Sequence, residues 1–68
     1  MDENVKGKIG IVIGKVASDT LGQVVLPIRG GKETYSARYN GQELPVGTRI
    51  VVNEFFPPRT VFVSKVTI

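Results

Sequence analysis

Apolar residues along this chain, mostly Val and Ile, come in short runs that are separated by Gly, Pro, Asn or Asp. This pattern is typical of short β-strands joined by turns, and no window shows the spacing of a capped amphipathic helix. We therefore predict an all-β domain. The predicted strands cover residues 7–16, 23–28, 33–39, 48–55 and 60–68.

Glycine and proline positions shape these predicted strands. Gly10 and Gly14 would let the long first strand coil sharply or bulge. Pro27 has no N–H to donate to a neighbouring strand, so it marks an edge or a bulge late in the second strand. Gly30 and Gly31 are free to adopt positive φ, which predicts a hairpin between the second and third strands.

The segment "QELPVGTRIVV", residues 42–52, leads into the fourth strand. Pro45 fixes its own φ and keeps Leu44 extended, while Gly47 can adopt a backbone conformation that is closed to other residues. We expect Leu44 to be tucked under this turn. The predicted role of the segment is architectural, not chemical.

Five short, Gly-bent strands in a chain of 68 residues favour closure into a small barrel, because closure removes exposed strand edges. We predict a five-stranded, closed or partly open OB-fold-like barrel, with an SH3-like barrel as the alternative. Residues 7–68 are predicted to form this single domain, after a flexible N-terminal segment over residues 1–6.

The composition argues against catalysis. The chain contains neither His nor Cys, so it lacks the commonest general base, the commonest transition-metal ligands and any Ser-His or Cys-His nucleophile pair. Its six carboxylates are scattered singly, without the spacing of a calcium loop. We predict no enzymatic activity, no catalytic residues, no metal site and no cofactor.

The net charge of +3 is within the range that keeps a small domain soluble, and no polybasic tail accompanies it. Nucleic acid is therefore not expected as the main partner. No apolar run approaches the roughly 18 to 20 residues that cross a bilayer, so we expect the chain as given to be soluble.

Five segments, read in order, resemble the C-terminal domain of the NfeD family. They are "GKIGIVIGKV", "GQVVLP", "YSAR", "LPVGTRIVV" and "VFVSKV", and together they extend over residues 7–66. The family pattern has a Gly-Lys-x-Gly opening, a Gly-x-Val second strand, an aromatic-x-Ala-Arg third strand and a Pro-x-Gly turn into Val-rich strands.

This resemblance implies an OB-fold domain without the usual nucleic-acid role, tethered to a membrane by segments outside this fragment. Family members work with stomatin-, prohibitin- or flotillin-like membrane proteins in membrane organisation and membrane-protease control, so such a protein is the implied partner. Some longer relatives carry an upstream serine-protease domain. None of that domain occurs in this sequence, so no peptidase activity is implied.

Two groups of apolar residues are candidates for partner contact. Ile9, Ile11 and Ile13 fall on one face of the first strand, and they could form a docking strip or be buried at the strand ends. Phe55 and Phe56 are predicted to lie in a loop, where either a bulge buries both rings or one ring projects as an anchor. In the second case Arg59 would lie beside the anchor and could contact anionic head groups.

Residues of the third strand form the remaining candidates. We expect Tyr35 to be in the core and Tyr39 to be partly exposed. Arg38 lies on the polar face, where we expect it to pair with Glu33, Glu43 or Glu54, with an interface role as the alternative. If the chain were instead a nucleic-acid-binding OB or SH3-like barrel, bases would stack on Tyr35 and Tyr39 beside Arg29, Lys32 and Arg38.

Overall fold

A computed structural model describes residues 5–17, 20–28 and 30–66. The described residues form five strands: β1 (Ile9–Gly14), β2 (Gly22–Ile28), β3 (Gly31–Arg38), β4 (Arg49–Phe56) and β5 (Thr60–Lys65). They close into a barrel in the order β1-β2-β3-β5-β4, with β4 returning to β1. The predicted five-stranded barrel is confirmed.

The direction of the strands gives the barrel two distinct ends. The pair β3–β5 is parallel and every other neighbouring pair is antiparallel, so β1, β3 and β5 run one way and β2 and β4 run the other. The segment before β1, the β2–β3 hairpin and the β4–β5 turn therefore share one end, which we call the hairpin end. The β1–β2 and β3–β4 connections share the opposite end, which we call the loop end.

The barrel interior is filled mainly by β-branched side chains, which suit a pleated and closely packed surface. Tyr35 is 7% exposed, which confirms its expected core position. The buried hydrophobic residues are Val5, Val12, Val16, Val24, Leu26, Tyr35, Ala37, Leu44, Ile50, Val52, Val61 and Val63.

The start of the domain differs from the prediction. Val5 is only 1% exposed and belongs to the core, and the Gly7 amide donates a hydrogen bond to the Val52 carbonyl at 2.8 Å. The packed core thus includes Val5, two residues before the predicted boundary at residue 7. Residues 1–4 of the expected N-terminal segment lie outside the described residues.

The turn before β4 has the predicted form. Gly47 has a φ of 97°, the left-handed region that glycine adopts without steric cost. Leu44 is 2% exposed and exchanges two backbone hydrogen bonds with Val16, at 2.7 and 3.1 Å. The Pro45 turn therefore pins the β3–β4 connection beneath the loop end, as expected.

Two strands carry features that the glycines and prolines indicated. At Gly10 an added Cβ would overlap the Val25 carbonyl oxygen and the Leu26 side chain, so glycine permits the close approach of β1 to β2. Pro27 pairs in register with Lys32 of β3, whereas the pairing of β2 with β1 ends at Val25. Pro27 thus occupies an edge segment, one of the two positions that were predicted for it.

A register shift in β4 decides which of its side chains face inward. The pairing with β5 shifts between Val52 and Glu54, which places Asn53 in a bulge and resets the alternation of the strand. Val52 points inward before the bulge, and Phe55 packs against the core after it. The expected loop is therefore wrong at Phe56, because β4 continues through this residue.

Candidate interaction surfaces

The outward face of β1 presents three isoleucine side chains to solvent. Ile9, Ile11 and Ile13 are 51%, 37% and 45% exposed, while Gly10 and Val12 between them are buried. Since successive side chains of a strand point to opposite faces, the inward set is the one that fills the core. Of the two predicted alternatives for these isoleucines, the outward-facing one is present in the structure.

Apolar residues on both neighbouring strands extend this surface. Ile11 is directly opposite Val25 of β2, and Ile9 is directly opposite Val51 of β4. Val25 and Val51 are each partly exposed. We define the isoleucine strip as Ile9, Ile11, Ile13, Val25 and Val51; it extends over three strands of the barrel wall.

A basic side chain borders the isoleucine strip at its loop end. Arg49 is directly opposite Ile11, so it shares the outward face of that isoleucine. Its side chain is exposed and forms no ion pair with another described residue. Strands β1 and β2 contain no carboxylate, so Arg49 has no counterion among the described residues.

The described carboxylates are all engaged elsewhere. Glu54 lies 3.7 Å from the Lys6 ammonium, Glu43 lies 3.7 Å from that of Lys15, and Glu33 lies 2.8 Å from the Arg59 guanidinium. Only the last distance is that of a charge-assisted hydrogen bond. The three described glutamates are therefore paired with other basic residues, and none of them is a counterion of Arg49.

The second candidate contact region is the apex, which we define as residues Phe55 to Arg59. Phe55 packs against the core and meets the Tyr35 ring edge to face, with 6.2 Å between the ring centroids. Phe56 is 48% exposed on the opposite face of β4. Of the two predicted alternatives, burial of both rings is therefore excluded and one ring projects.

Arg59 attaches the apex to β3 through several contacts. Its Nη1 donates to the Thr34 carbonyl at 2.9 Å, and its Nη2 donates to Glu33 Oε1 at 2.8 Å. The guanidinium carbon lies 5.2 Å from the centroid of the Tyr35 ring, a distance at which a cation is attracted to the ring face. The Ser36 amide also donates to the Arg59 carbonyl at 2.8 Å. The guanidinium thus has intramolecular partners on β3.

The remaining candidates lie at the far end of β3. Arg38 is exposed and forms no ion pair with a described residue; its expected pairing is wrong, because each of the three expected glutamates has another basic partner. Tyr39 is half-buried and packs against the core, as expected for a partly exposed residue. The Tyr35 ring is not available as a platform for a base, and Arg29 lies outside the described residues.

Sequence reasoning found the three isoleucines but missed their neighbours Val25, Val51 and Arg49. These residues join the strip only through the register of β1 with β2 and β4. Their outward positions follow from the period of two within each strand, and this signal becomes useful once the strand order is known. The strand order itself depends on contacts that are distant along the chain.

Two further findings concern the described part of the chain. It contains no group of three or more His, Cys, Asp or Glu residues that could hold a metal ion. Among the same residues, there is no helix with the length and apolar character needed to span a membrane.

Comparison with known proteins places this geometry in a family. The family model for the NfeD C-terminal domain matches residues 9–64. The fold is similar to the solution structure of the soluble domain of the NfeD protein YuaF from Bacillus subtilis, with a TM-score of 0.77 and 29% sequence identity over 90% of this chain and 73% of that one. A search among curated proteins gave no match. The chain belongs to the NfeD C-terminal domain family.

Proposed function

We propose that this barrel is a non-catalytic protein-interaction module of a membrane-anchored NfeD-like protein. Through it, the protein docks onto a stomatin-, prohibitin- or flotillin-type protein and assists membrane organisation or membrane-protease regulation. The family membership supports the NfeD-like part of the proposal. The type of partner and the anchor follow from the family resemblance of the sequence.

The observation that carries the proposal is the isoleucine strip. Three half-exposed isoleucines on one strand, with two valines directly opposite them, leave a contiguous apolar surface on a domain of 68 residues. Contiguous apolar surface on a small protein marks a contact site more often than scattered apolar residues do. Docking of a partner would remove this surface from water and so stabilise the complex.

Binding to a flotillin-type protein tests the proposal directly. We would titrate the extramembrane region of a flotillin-type protein from the same organism into the barrel and follow the heat of binding. We expect saturable binding that is weakened in a variant with Ile9→Thr and Ile11→Thr. Threonine keeps the β-branched shape that strands favour, so circular dichroism should show an unchanged fold.

Two results would contradict the proposal. One is the absence of binding to flotillin-, stomatin- and prohibitin-type proteins alike. The other is tight binding of a single-stranded oligonucleotide that weakens steeply with salt, because phosphate contacts release counterions. The proposed anchor is tested separately, by translating the gene upstream of the Met1 codon; the anchor hypothesis requires in-frame apolar runs of about 20 residues there or after residue 68.

A further inference from the structure

We infer that the isoleucine strip, together with Arg49, binds an acidic amphipathic helix of a partner protein. This inference rests on the proposed function, since it names the chemistry of the segment that the barrel would recognise. It requires a ligand that complements the surface in shape, in apolar character and in charge.

The barrel wall favours a helix over an added strand. An extended peptide binds by pairing with a free strand edge, but β1 is already paired with β2 and with β4. The contact must therefore be made through side chains. Ile9 and Ile13 are four residues apart, about 13 Å along a strand at roughly 3.3 Å per residue. A helix of about nine residues spans that distance at 1.5 Å per residue, enough for apolar anchors at i, i+4 and i+7.

The charge around the strip specifies an acidic helix. Arg49 is directly opposite Ile11, so a helix on the isoleucines would bring its flanking residues next to this guanidinium. No described carboxylate competes, because the glutamates are paired with Lys6, Lys15 and Arg59. Glutamate or aspartate beside the apolar face of the helix would supply a counterion for Arg49, whereas lysine there would be repelled.

The same combination of apolar and basic residues occurs in proteins that bind anionic membranes, but the geometry of the strip favours a protein. Membrane-interface contacts use aromatic residues and elements whose apolar face enters the headgroup region. The strip contains only Ile and Val on the wall of a barrel. The exposed aromatic ring, Phe56, is on the apex at the hairpin end. Vesicle binding is therefore an alternative outcome of the test.

The test uses three synthetic peptides of about 18 residues, long enough to form a helix on binding. The first has Leu at helical spacing with Glu on both flanks, the second has Lys in place of Glu, and the third is a scrambled version of the first. Each is titrated into the isotopically labelled barrel, and backbone amide NMR signals are followed. We expect the acidic helix to shift signals of β1 and of the first half of β4, and to bind about tenfold more tightly than the other two.

Matched variants then separate the strip from the rest of the surface. Ile11→Thr removes apolar contact and should weaken binding of the acidic peptide about tenfold. Arg49→Glu reverses the charge beside Ile11 and should weaken it by a similar factor. The controls are Val46→Thr, which alters an exposed valine in the β3–β4 connection, and Lys32→Glu, which reverses an exposed charge at the hairpin end. Both controls should change the affinity by less than about twofold.

Several outcomes would overturn the inference. They are equal binding of the acidic and scrambled peptides, tighter binding of the lysine peptide, signal shifts centred on Phe56, and binding only to phosphatidylserine vesicles. The inference and the proposed function fail differently. A flotillin-type partner that binds Ile11→Thr as well as the parent protein overturns the inference and leaves the proposed function standing. A barrel that binds the acidic helix but none of the three partner types supports the inference and contradicts the proposed function.

Discussion

The isoleucine strip and the apex expose apolar side chains to a similar extent, yet they differ in what surrounds them. Ile9 is 51% exposed and Phe56 is 48% exposed. Around Phe56, the neighbouring Phe55 ring packs against Tyr35, and Arg59 is hydrogen-bonded to β3. In the strip that contains Ile9, the border residue Arg49 has no counterion among the described residues.

This difference shows that the exposure of a single side chain is a weak guide to a contact site. The apex is a structural joint, because Phe55 and Arg59 hold the β4–β5 turn against β3. Among the described residues, the border residue Arg49 of the strip has no ion-pair partner. A charged side chain without an ion-pair partner, next to exposed apolar surface, is therefore the better indication of a binding surface.

Removing the Tyr35 ring should destabilise the barrel more than any single substitution on the surface of the apex or the strip. Tyr35→Ala deletes a buried ring beneath the apex and leaves a cavity next to Phe55, and a truncation of this type costs about 3–5 kcal/mol of unfolding free energy. Chemical denaturation followed by circular dichroism would measure the loss. Tyr39→Ala is the control, since Tyr39 is only half-buried, and it should cost clearly less. A loss below about 1 kcal/mol for Tyr35→Ala would contradict the description of the apex as a joint.

Arg59 provides the next largest effect. Arg59→Ala removes the hydrogen bonds to Thr34 and Glu33 and the contact with the ring of Tyr35. Because the guanidinium is partly exposed, we expect a loss of about 1–2 kcal/mol. Arg38→Ala is the matched control, because Arg38 is exposed and has no ion pair with a described residue; it should cost less than about 0.5 kcal/mol. Equal losses for the two arginines would remove the distinction between apex and open surface.

The amino-acid pattern was sufficient to predict the five strands, because alternation and turn residues are local signals. It also placed Leu44 under the Pro45 turn, where the dihedral limits of proline and glycine leave few alternatives. It could not locate the bulge at Asn53, since an extra residue is recognised only against the register of the partner strand. Without that bulge, a period of two from Val52 would point Phe56 inward and Phe55 outward.

The candidate sites could be predicted only in part for the same reason. The isoleucines were visible as a period of two within one strand. The partners of Arg38 and Arg59 depend on which strands meet, and Glu33 is 26 residues from the arginine that binds it. Sequence distance would favour the nearer Arg38 as the partner of Glu33, and the structure pairs Glu33 with Arg59 instead. The turn geometry that brings Arg59 over Tyr35 decides between them.

Substitutions of exposed apolar residues should have a smaller effect on stability than Tyr35→Ala or Arg59→Ala, on the strip and on the apex alike. Ile11→Thr changes an outward side chain and keeps a β-branched residue in β1, so we expect a loss below about 1 kcal/mol. Phe56→Thr is the corresponding change on the apex, and we expect a loss of the same size. We would measure the stability of both variants by chemical denaturation and their affinity for a flotillin-type partner by titration. A partner that loses affinity with Phe56→Thr but not with Ile11→Thr would move the contact site from the strip to the apex.

The smallest effects on stability should come from the exposed ion pairs. One pair lies at the apex and the other lies on the rest of the surface. Glu33→Gln weakens a pair at 2.8 Å whose arginine is also held by Thr34, whereas Glu43→Gln weakens a pair at 3.7 Å with Lys15. Exposed pairs contribute roughly 0–1 kcal/mol. We expect Glu33→Gln near the upper end of that range, because the position of Arg59 is already fixed, and Glu43→Gln near zero.

Chemical denaturation in low and in high salt measures these contributions. The contribution of either pair should be smaller in high salt, since mobile ions screen exposed charges. A larger loss of stability for Glu43→Gln than for Glu33→Gln would contradict the view that the contacts of Arg59 distinguish the apex from the rest of the surface.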